Sequence, residues 1–387
     1  MKILHICAGW QKWNGAANIA RMIMDEQQRE GHEVSFGTWA KVRDLRAADE
    51  VWIHCGWLPC LWWAALWARN ARWMPEACYD PIRLKFSAWK KRLVGPIERW
   101  ALRRCAKIVA TCDTEKEWIE AYLGKRCPEI EVTDIKRFFD LNRVERVETC
   151  RGEGCFGRVD GDGLEFQVSG SGSERYESNS QLITHNSQLN LLYLGRRHPL
   201  KGVEYLETAV RQLQNSTRST RSTRLKIELK IVSNAFGEEL EKIWDWCDVL
   251  VLPTLSENFG LVVAEALERG KRVITTDGAP VWGEGVSRVE RVETCRVGRD
   301  GNLSRVERVE TCREGEIMVG YGGRLIYLKG YREGTKETRV ELLKAAIEVV
   351  GDGNLSRVER VETCRVGGDG NLSRVERVET CRVGGGW

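Results

Sequence analysis

Residues 248 to 276, DVLVLPTLSENFGLVVAEALERGKRVITT, constrain the fold more than any other stretch of the chain. DVLVLP reads as a strand, SENF as a loop, GLVVAEALERG as a helix and RVITT as a second strand. Short continuous apolar runs on either side of a helix indicate strands covered on both faces, which means a parallel sheet flanked by helices. In open sheets of that kind ligands bind outside the carboxyl ends of the strands. The loop between Pro253 and Gly260 is therefore the first place to look for a site.

The same alternation runs through the rest of the sequence. KILHICA is an apolar first strand, and Asn14-Gly15 opens a helix with Ile19, Met22 and Ile23 on one face. HEVSFGTW, EVWIHCGW and KIVATC read as further strands, EKEWIEAYL as a helix, and EVTDIKRFF closes this half near residue 141. A second half restarts at Leu189. There LNLLYLG is a strand, GVEYLETAVRQL a helix, LKIELKIVS a strand and EELEKIWDWC a helix. RLIYL and the helix 337 to 350 complete the ordered part. The expected fold class is α/β, with two Rossmann-like domains facing a cleft. The expected organisation is an N-terminal domain at 1–141, an insertion or linker at 142–188 and a second domain at 189–286. A repeat insertion follows at 287–314, the end of the second domain at 315–350 and a repeat tail at 351–387.

The repeats set these boundaries. RVERVETCR occurs five times, starting at Arg143, Arg288, Arg305, Arg357 and Arg374, and STRSTRSTR runs from Ser216 to Arg224. A solenoid needs contiguous units, each burying a face against the next. These copies are scattered, at most two in a row, and each offers only two valines and a cysteine. They are polar, charge-balanced and glycine-rich between copies, so loops and a loose tail are expected.

Composition narrows the function classes. A net charge of +4 over 387 residues is too mild to point to nucleic acid. Fourteen cysteines form no CxxC pair and no zinc-type spacing with histidine, so buried thiols in a reducing compartment are expected. The amino terminus has no secretory pattern, and no stretch approaches the roughly 18 apolar residues of a membrane span. Charge is uneven, however: Arg83, Lys85, Lys90, Lys91, Arg92, Arg99, Arg103, Arg104 and Lys107 stand against the single acid Glu98. Trp62, Trp63, Trp67 and Trp73 lie close by. Tryptophan with basic residues suits an anionic lipid surface. The other readings are core tryptophans beside a solvated basic face, and carbohydrate stacking.

Two motifs carry chemistry. In SENFGLVVAEAL the N–H groups at the helix start suit a phosphate, and Glu257 and Glu265 lie eight residues apart, so one can reach sugar hydroxyls and the other a ribose diol. Taken alone, such a pair is more often two solvated carboxylates. In YLGRRHPLKG a strand ends at Gly195, and Arg196 and Lys201 can neutralise a diphosphate as leaving-group charge develops. Arg197 reads as ordinary surface basicity. Asp160-Gly161-Asp162 has metal-motif letters but sits in a glycine-rich insert, so no metal is expected. His185-Asn186-Ser187 after Cys150 has splicing-element letters, but the span is too short for a domain with its own core.

LGRxxxxKG, then PTxxENFGxxxxEAL, then VITT followed by GAP, resembles the retaining GT-B glycosyltransferases of family four. NGAA (14 to 17) is similar to that family's glycine-rich acceptor-side loop, and IERWALRRCAKIVATCDTEKEWI to its helix–strand–helix stretch. WMPEACYDPIRLKFSAWKKRLVGPIERW looks closest to sugar transferases of bacterial lipopolysaccharide core assembly. The match covers roughly 1 to 141, 189 to 286 and 315 to 350. It implies that Arg196 and Lys201 hold the donor diphosphate, that Glu265 binds the ribose diol, and that Glu257 contacts the transferred sugar beside the backbone of Asn258, Phe259 and Gly260. Gly15 would let the first loop approach the phosphates. His54 would match the histidine contacting the sugar near the reaction centre; the other reading is a structural histidine at a strand end. The implied partners are a nucleotide-sugar donor and a glycan or lipid-linked acceptor, at the cytoplasmic face of the inner membrane and without nucleic acid. The implied cofactor is none, the nucleotide-sugar being a co-substrate.

The spacing from Lys201 to Glu257 is shorter than the family's, which predicts a second sheet trimmed by one strand–helix unit. The 287 to 314 insert is the one expected to damage the donor domain. Rival readings are a catalytically impaired scaffold and a repeat-mediated interaction protein.

Overall fold

A computed structural model describes residues 1–7, 15–141, 188–219, 226–284, 286–292, 294–296, 315–321, 323–351 and 363–365. The linker 142–187, with Asp160-Gly161-Asp162 and the splicing-like letters, lies outside them, as does most of the tail.

The first half alternates strand and helix. Its strands are β1 (Lys2–Cys7), β2 (Glu33–Gly37), β3 (Glu50–His54), β4 (Ala71–Met74), β5 (Lys107–Ala110) and β6 (Glu129–Val132). Between them run α1 (Gly15–Arg29), α2 (Val42–Ala47), α3 (Pro59–Trp67), α4 (Pro81–Lys85), α5 (Ala88–Leu102) and α6 (Asp113–Leu123). All six strands are parallel, in the order β2-β1-β3-β4-β5-β6. β4 is absent from the sequence reading: ARWM is four residues long with an arginine inside, too short and too polar for a periodic signal.

The second half holds β7 (Gln188–Leu194), α7 (Val203–Ser219), β8 (Lys226–Val232), α8 (Gly237–Trp246), β9 (Val249–Leu252), α9 (Leu261–Glu268) and β10 (Arg272–Thr276). Then come β11 (Ser287–Val292), β12 (Thr294–Arg296), β13 (Gly315–Gly320), β14 (Leu325–Lys329), α10 (Lys336–Gly351) and β15 (Thr363–Arg365). The sheet order is β11-β13-β14-β10-β9-β7-β8, parallel from β14 to β8 and antiparallel at β13 and β11. β8 is the edge, and α8 leads straight back to β9.

Two expectations need correction. The repeat copy at 287 does not begin as a loop: SRVERV pairs antiparallel with β13 and extends the sheet. Its alternating valines allow a strand, and β13 supplies the open edge that a polar segment needs in order to hydrogen-bond its backbone. Residues 294–296 of that copy pair in parallel with 363–365 of a tail copy. Of the tryptophans singled out for a lipid surface, one is in the core and three are half-buried and engaged within the fold. Trp73 is wholly buried. Trp62 donates to Glu98, Trp63 donates to the Ala40 carbonyl (3.3 Å), and Trp67 packs edge-on to Trp63.

The halves share packing. Ile135, Leu141 and Met74 join the second half's core, and the Phe139 ring stacks on Phe259 with centroids 5.5 Å apart. Among the described residues no helix is long and apolar enough to cross a membrane.

Candidate functional site

The loops at the carboxyl ends of β7, β9 and β10 form one rigid platform. Leu255 N–H donates to the Leu200 carbonyl (2.7 Å), as does the Thr254 hydroxyl (3.0 Å). Glu257 N–H donates to the Gly278 carbonyl (2.7 Å), and Thr276 Oγ1 to the Thr254 carbonyl (2.5 Å). Two glycines let the loops approach. A Cβ at Gly202 would lie 2.1 Å from the Pro253 carbonyl oxygen, and one at Gly278 2.1 Å from that of Thr254. Gly260, the cap of α9, has φ +71°, which glycine adopts without a Cβ penalty.

On this platform Lys201 Nζ is hydrogen-bonded and ion-paired to Glu257 Oε2, and both side chains are mostly buried. Arg83 reaches over from α4 to within 4.0 Å of Glu257 Oε1, and Asn258 N–H donates to that oxygen (3.1 Å). Burial alone would raise the Glu257 pKa, but Lys201 and Arg83 outweigh it and hold the carboxyl below its ordinary value. Arg196 is exposed at the end of β7, its carbonyl accepting from Tyr193 Oη (2.9 Å). His198 reports the local field: burial, then Arg196, Lys201 and Arg83, depress its pKa. Lys201 and Arg83, one from each half, thus converge beside Glu257, and Arg196 joins them around His198. Arg197 pairs instead with Glu207 on the surface (2.7 Å), as ordinary surface basicity would.

Glu265 is the fifth residue of α9 and half-buried; burial raises its pKa against the pull of Arg269. Glu257 precedes the helix rather than sharing its face. Phe259 is buried between Phe139 and Trp282, whose indole N–H donates to the Phe259 carbonyl (2.5 Å). Gly15 begins α1, with nothing within 4 Å of an added Cβ. Asn258 meets Thr111 of the first half at 3.1 Å. Thr111 has one hydroxyl proton and gives it to Glu115 Oε2 (2.7 Å). The Asn258 contact is therefore best made by its amide nitrogen donating to Thr111, an atom otherwise buried without a partner.

Sequence reasoning missed the first half's contribution. Asp80, wholly buried, accepts from Ser256 Oγ and from Arg332, and Arg83 Nε donates to Ser256 Oγ (2.8 Å). Asp80 also caps α4 by accepting from Ile82 N–H (2.7 Å), but nothing local marks the bonds of Asp80 and Arg83 to the second half, whose partners lie far along the chain. The loops after β3 and β4 carry left-handed backbone at Cys55, Trp57, Glu76 and Ala77. Such strain persists only where the surroundings over-determine it. Glu98 holds Trp57 N–H (2.9 Å) and Glu115 holds Ala77 N–H (2.5 Å).

His54 does not reach the platform's surface. It is fully buried, with Nε2 3.0 Å from His5 Nδ1 and Nδ1 3.2 Å from Glu76 Oε1, and it stacks on His5. With both ring nitrogens engaged it offers none to a sugar, so the expected sugar contact gives way to the structural reading. Burial lowers both histidines to about 3 and raises Glu76 to about 8. At neutral pH the network is therefore uncharged rather than an ion pair. Protonated Glu76 donates to His54 Nδ1, His54 Nε2–H to His5 Nδ1, and His5 Nε2–H to Gln27 Oε1 (2.8 Å).

The two kinds of group act on stability with opposite sign. The histidines' folded pKa lies below the ordinary 6.5, so their contribution is whole above that pH and is lost as pH falls towards 3. Glu76 keeps its proton in the fold up to about 8, whereas the unfolded chain releases it near 4.5, so stability is lost as pH rises between those values. Glu76→Gln keeps the shape and a donor to His54 without titrating. Between pH 6 and pH 8 it should lose about 2 kcal/mol less stability than the parent protein, at about 1.4 kcal/mol per pH unit until Glu76 itself titrates near 8. Urea unfolding at the two pH values checks this; equal losses would mean an ionised Glu76.

Two family models match the sequence. Residues 35–133 match a glycosyl transferase 4-like domain, and residues 188–289 match glycosyl transferases group 1. The chain belongs to the glycosyltransferases. Its paired Rossmann-like sheets are the GT-B architecture. Similar solved structures include sucrose-phosphate synthase from Thermosynechococcus elongatus (13% identity, 71% of this chain and 81% of that one, TM-score 0.44). The lipopolysaccharide outer core galactosyltransferase WaaB is also similar (13% identity, 72% and 81%, TM-score 0.40). A third is the trehalose 6-phosphate synthase of Burkholderia multivorans (9% identity, 92% of each chain, TM-score 0.48). No curated protein matches the sequence significantly. Among the glycosyltransferase's described residues no group of three or more His, Cys, Asp and Glu could hold a metal ion.

Proposed function

We propose that this glycosyltransferase moves a sugar from a nucleotide-sugar donor to a glycan or lipid-linked acceptor with retention of configuration, in cell-envelope biosynthesis of the lipopolysaccharide type. The observation that carries the reading is the convergence of Lys201 and Arg83 beside Glu257, with Arg196 joining them around His198, at the strand ends where such sheets bind ligands. Lys201 and Arg196 hold the donor diphosphate, with Arg83 joining from the first half. Glu257, kept ionised by its cations, accepts hydrogen bonds from the transferred sugar. The first-turn N–H groups of α9, behind Asn258, Phe259 and Gly260, face the phosphates, and Glu265 takes the ribose diol. Gly15 lets the first loop come close.

The chemistry follows from the charges. Glu257 is tied to Lys201, so it is poorly placed as a covalent nucleophile. Front-face displacement needs none: the leaving diphosphate takes the acceptor's proton as the new glycosidic bond forms and the old one breaks. The cations stabilise charge where it develops, which carries most of the rate. They supply what a metal would otherwise supply, so the reading needs no metal and no further cofactor. A lipid-linked acceptor places the enzyme at the cytoplasmic face of a membrane.

The test is a thermal-shift panel of UDP-, GDP- and ADP-sugars on the parent protein and on Glu265→Ala. One donor should raise the parent's Tm and raise that of the variant much less. A donor that stabilises both equally would contradict the ribose assignment, and a panel without any shift would contradict the reading itself.

A further inference from the structure

One surface of the first half is unlike the rest. α5 exposes Trp89 (68%), Leu93 (73%), Ile97 (47%) and Trp100 (47%) to solvent. They are spaced by four, four and three residues, so at about 100° per residue they form one stripe. The helix's opposite face is the buried one, through Gly95, Glu98, Ala101 and Leu102. The stripe is therefore an outward apolar face and not a poorly packed core edge.

Cations border it on both sides. Arg92 lies on one flank and Lys90 and Arg104 on the other, all exposed. Lys90 Nζ lies 5.4 Å from the Trp89 ring, and the Arg104 guanidinium 5.4 Å from that of Trp100. The helix's one acid, Glu98, is wholly buried and bonded to Trp57, Trp62 and Tyr79. The outward face thus combines tryptophan, branched apolar side chains and cations, with no carboxylate.

We propose that α5 is an in-plane docking helix for an anionic phospholipid surface. Leu93 and Ile97 enter the acyl boundary, Trp89 and Trp100 sit at headgroup depth, and Lys90, Arg92 and Arg104 meet lipid phosphates. Charge complementarity selects this occupant: a neutral apolar partner would leave the cations unmatched, and a second copy would set like charges against each other. Docking involves no donor-site residue and stands whether or not the nucleotide-sugar reading does.

The test is co-sedimentation of the full-length protein with vesicles of phosphatidylcholine alone or with phosphatidylglycerol added, at low and high salt. The parent should partition onto the anionic vesicles at low salt, and salt should weaken that binding. Leu93→Ser with Ile97→Ser should lower partition at least tenfold with little change in Tm, because Leu93 is mostly and Ile97 about half in water already. Lys90→Glu with Arg92→Glu should remove the preference for anionic lipid. Phe236→Ser, a comparably exposed apolar residue of the second half (63%), should change nothing. Equal partition of the parent and the Leu93/Ile97 variant would overturn the proposal. So would absence of binding at low salt, or a parent dimer that those two substitutions dissolve.

Discussion

Lys201→Ala is expected to lower kcat/KM about 10²- to 10³-fold, the usual cost of removing one preorganised donor aimed at developing negative charge. Among the described residues Lys201 is the only lysine paired with Glu257, and Arg83 stands farther off at 4.0 Å. The loss should therefore appear mainly in kcat, with the donor still bound through the remaining cations. Stability should report the same pair. Glu257 is held below its ordinary 4.5, so the pair's contribution is present above that pH and is lost as pH falls through the lower folded value. Near neutrality the variant should be about 1–3 kcal/mol less stable than the parent, because a mostly buried carboxylate loses its closest partner. The difference should shrink in acid once Glu257 is protonated in both proteins. Steady-state kinetics with the donor identified by thermal shift, and urea unfolding at neutral pH and near pH 3, read the two effects. An unchanged kcat would remove Lys201 from the chemistry.

Gly202→Ala should be among the most damaging single methyl additions at the described glycines of the second half. The residue has φ +62°, where a Cβ costs about 1–2 kcal/mol. The added carbon would also lie 2.1 Å from the Pro253 carbonyl oxygen, a backbone atom with no rotamer to escape into. Overpacking of that kind costs about 1–3 kcal/mol more. Together these predict a fall in Tm on the order of 10 °C, at about 2–4 °C per kcal/mol for a domain of this size. Because Gly202 seats Lys201 against the β9 loop, donor binding should fall with it. Gly15→Ala is the contrast: nothing lies within 4 Å of its Cβ, so Tm should hold. Calorimetry of the two variants decides, and equal Tm values would mean that the β7 and β9 loops are free to separate.

Much of the second half was legible because its signals are local. VLVL is an uninterrupted apolar run and RVITT a β-branched one, on either side of a helix rich in alanine, leucine and valine, and they became β9, α9 and β10 within a residue or two of the expected ends. Lys201 and Glu257 were legible for a related reason: each follows a strand end, and strands in one parallel sheet bring their carboxyl ends to one edge. Asp80 and Arg83 carried no such mark. Arg83 reads as one more cation in a basic run, yet it bonds Ser256 at a separation of 173 residues. The basic aromatic stretch did not reveal which of its tryptophans face outward. Trp73 went to the core, and the outward stripe fell to Trp89 and Trp100, because burial depends on which face α5 turns towards α3.

The sequence by itself determined the α/β class, the parallel running of β7, β9 and β10, and the carboxylate and cations at their ends. Hydrophobic periodicity and glycine placement are written into neighbouring residues, so these features need no distant partner to be read. Tertiary structure alone decided three things. It brought Asp80 and Arg83 onto the second half's loops and enclosed His54 in an uncharged buried network. It also drew the repeat at 287–292 into the sheet beside β13. Each depends on a hydrogen bond or a burial made between segments far apart in the chain, and such a partner exists only once the fold has placed it.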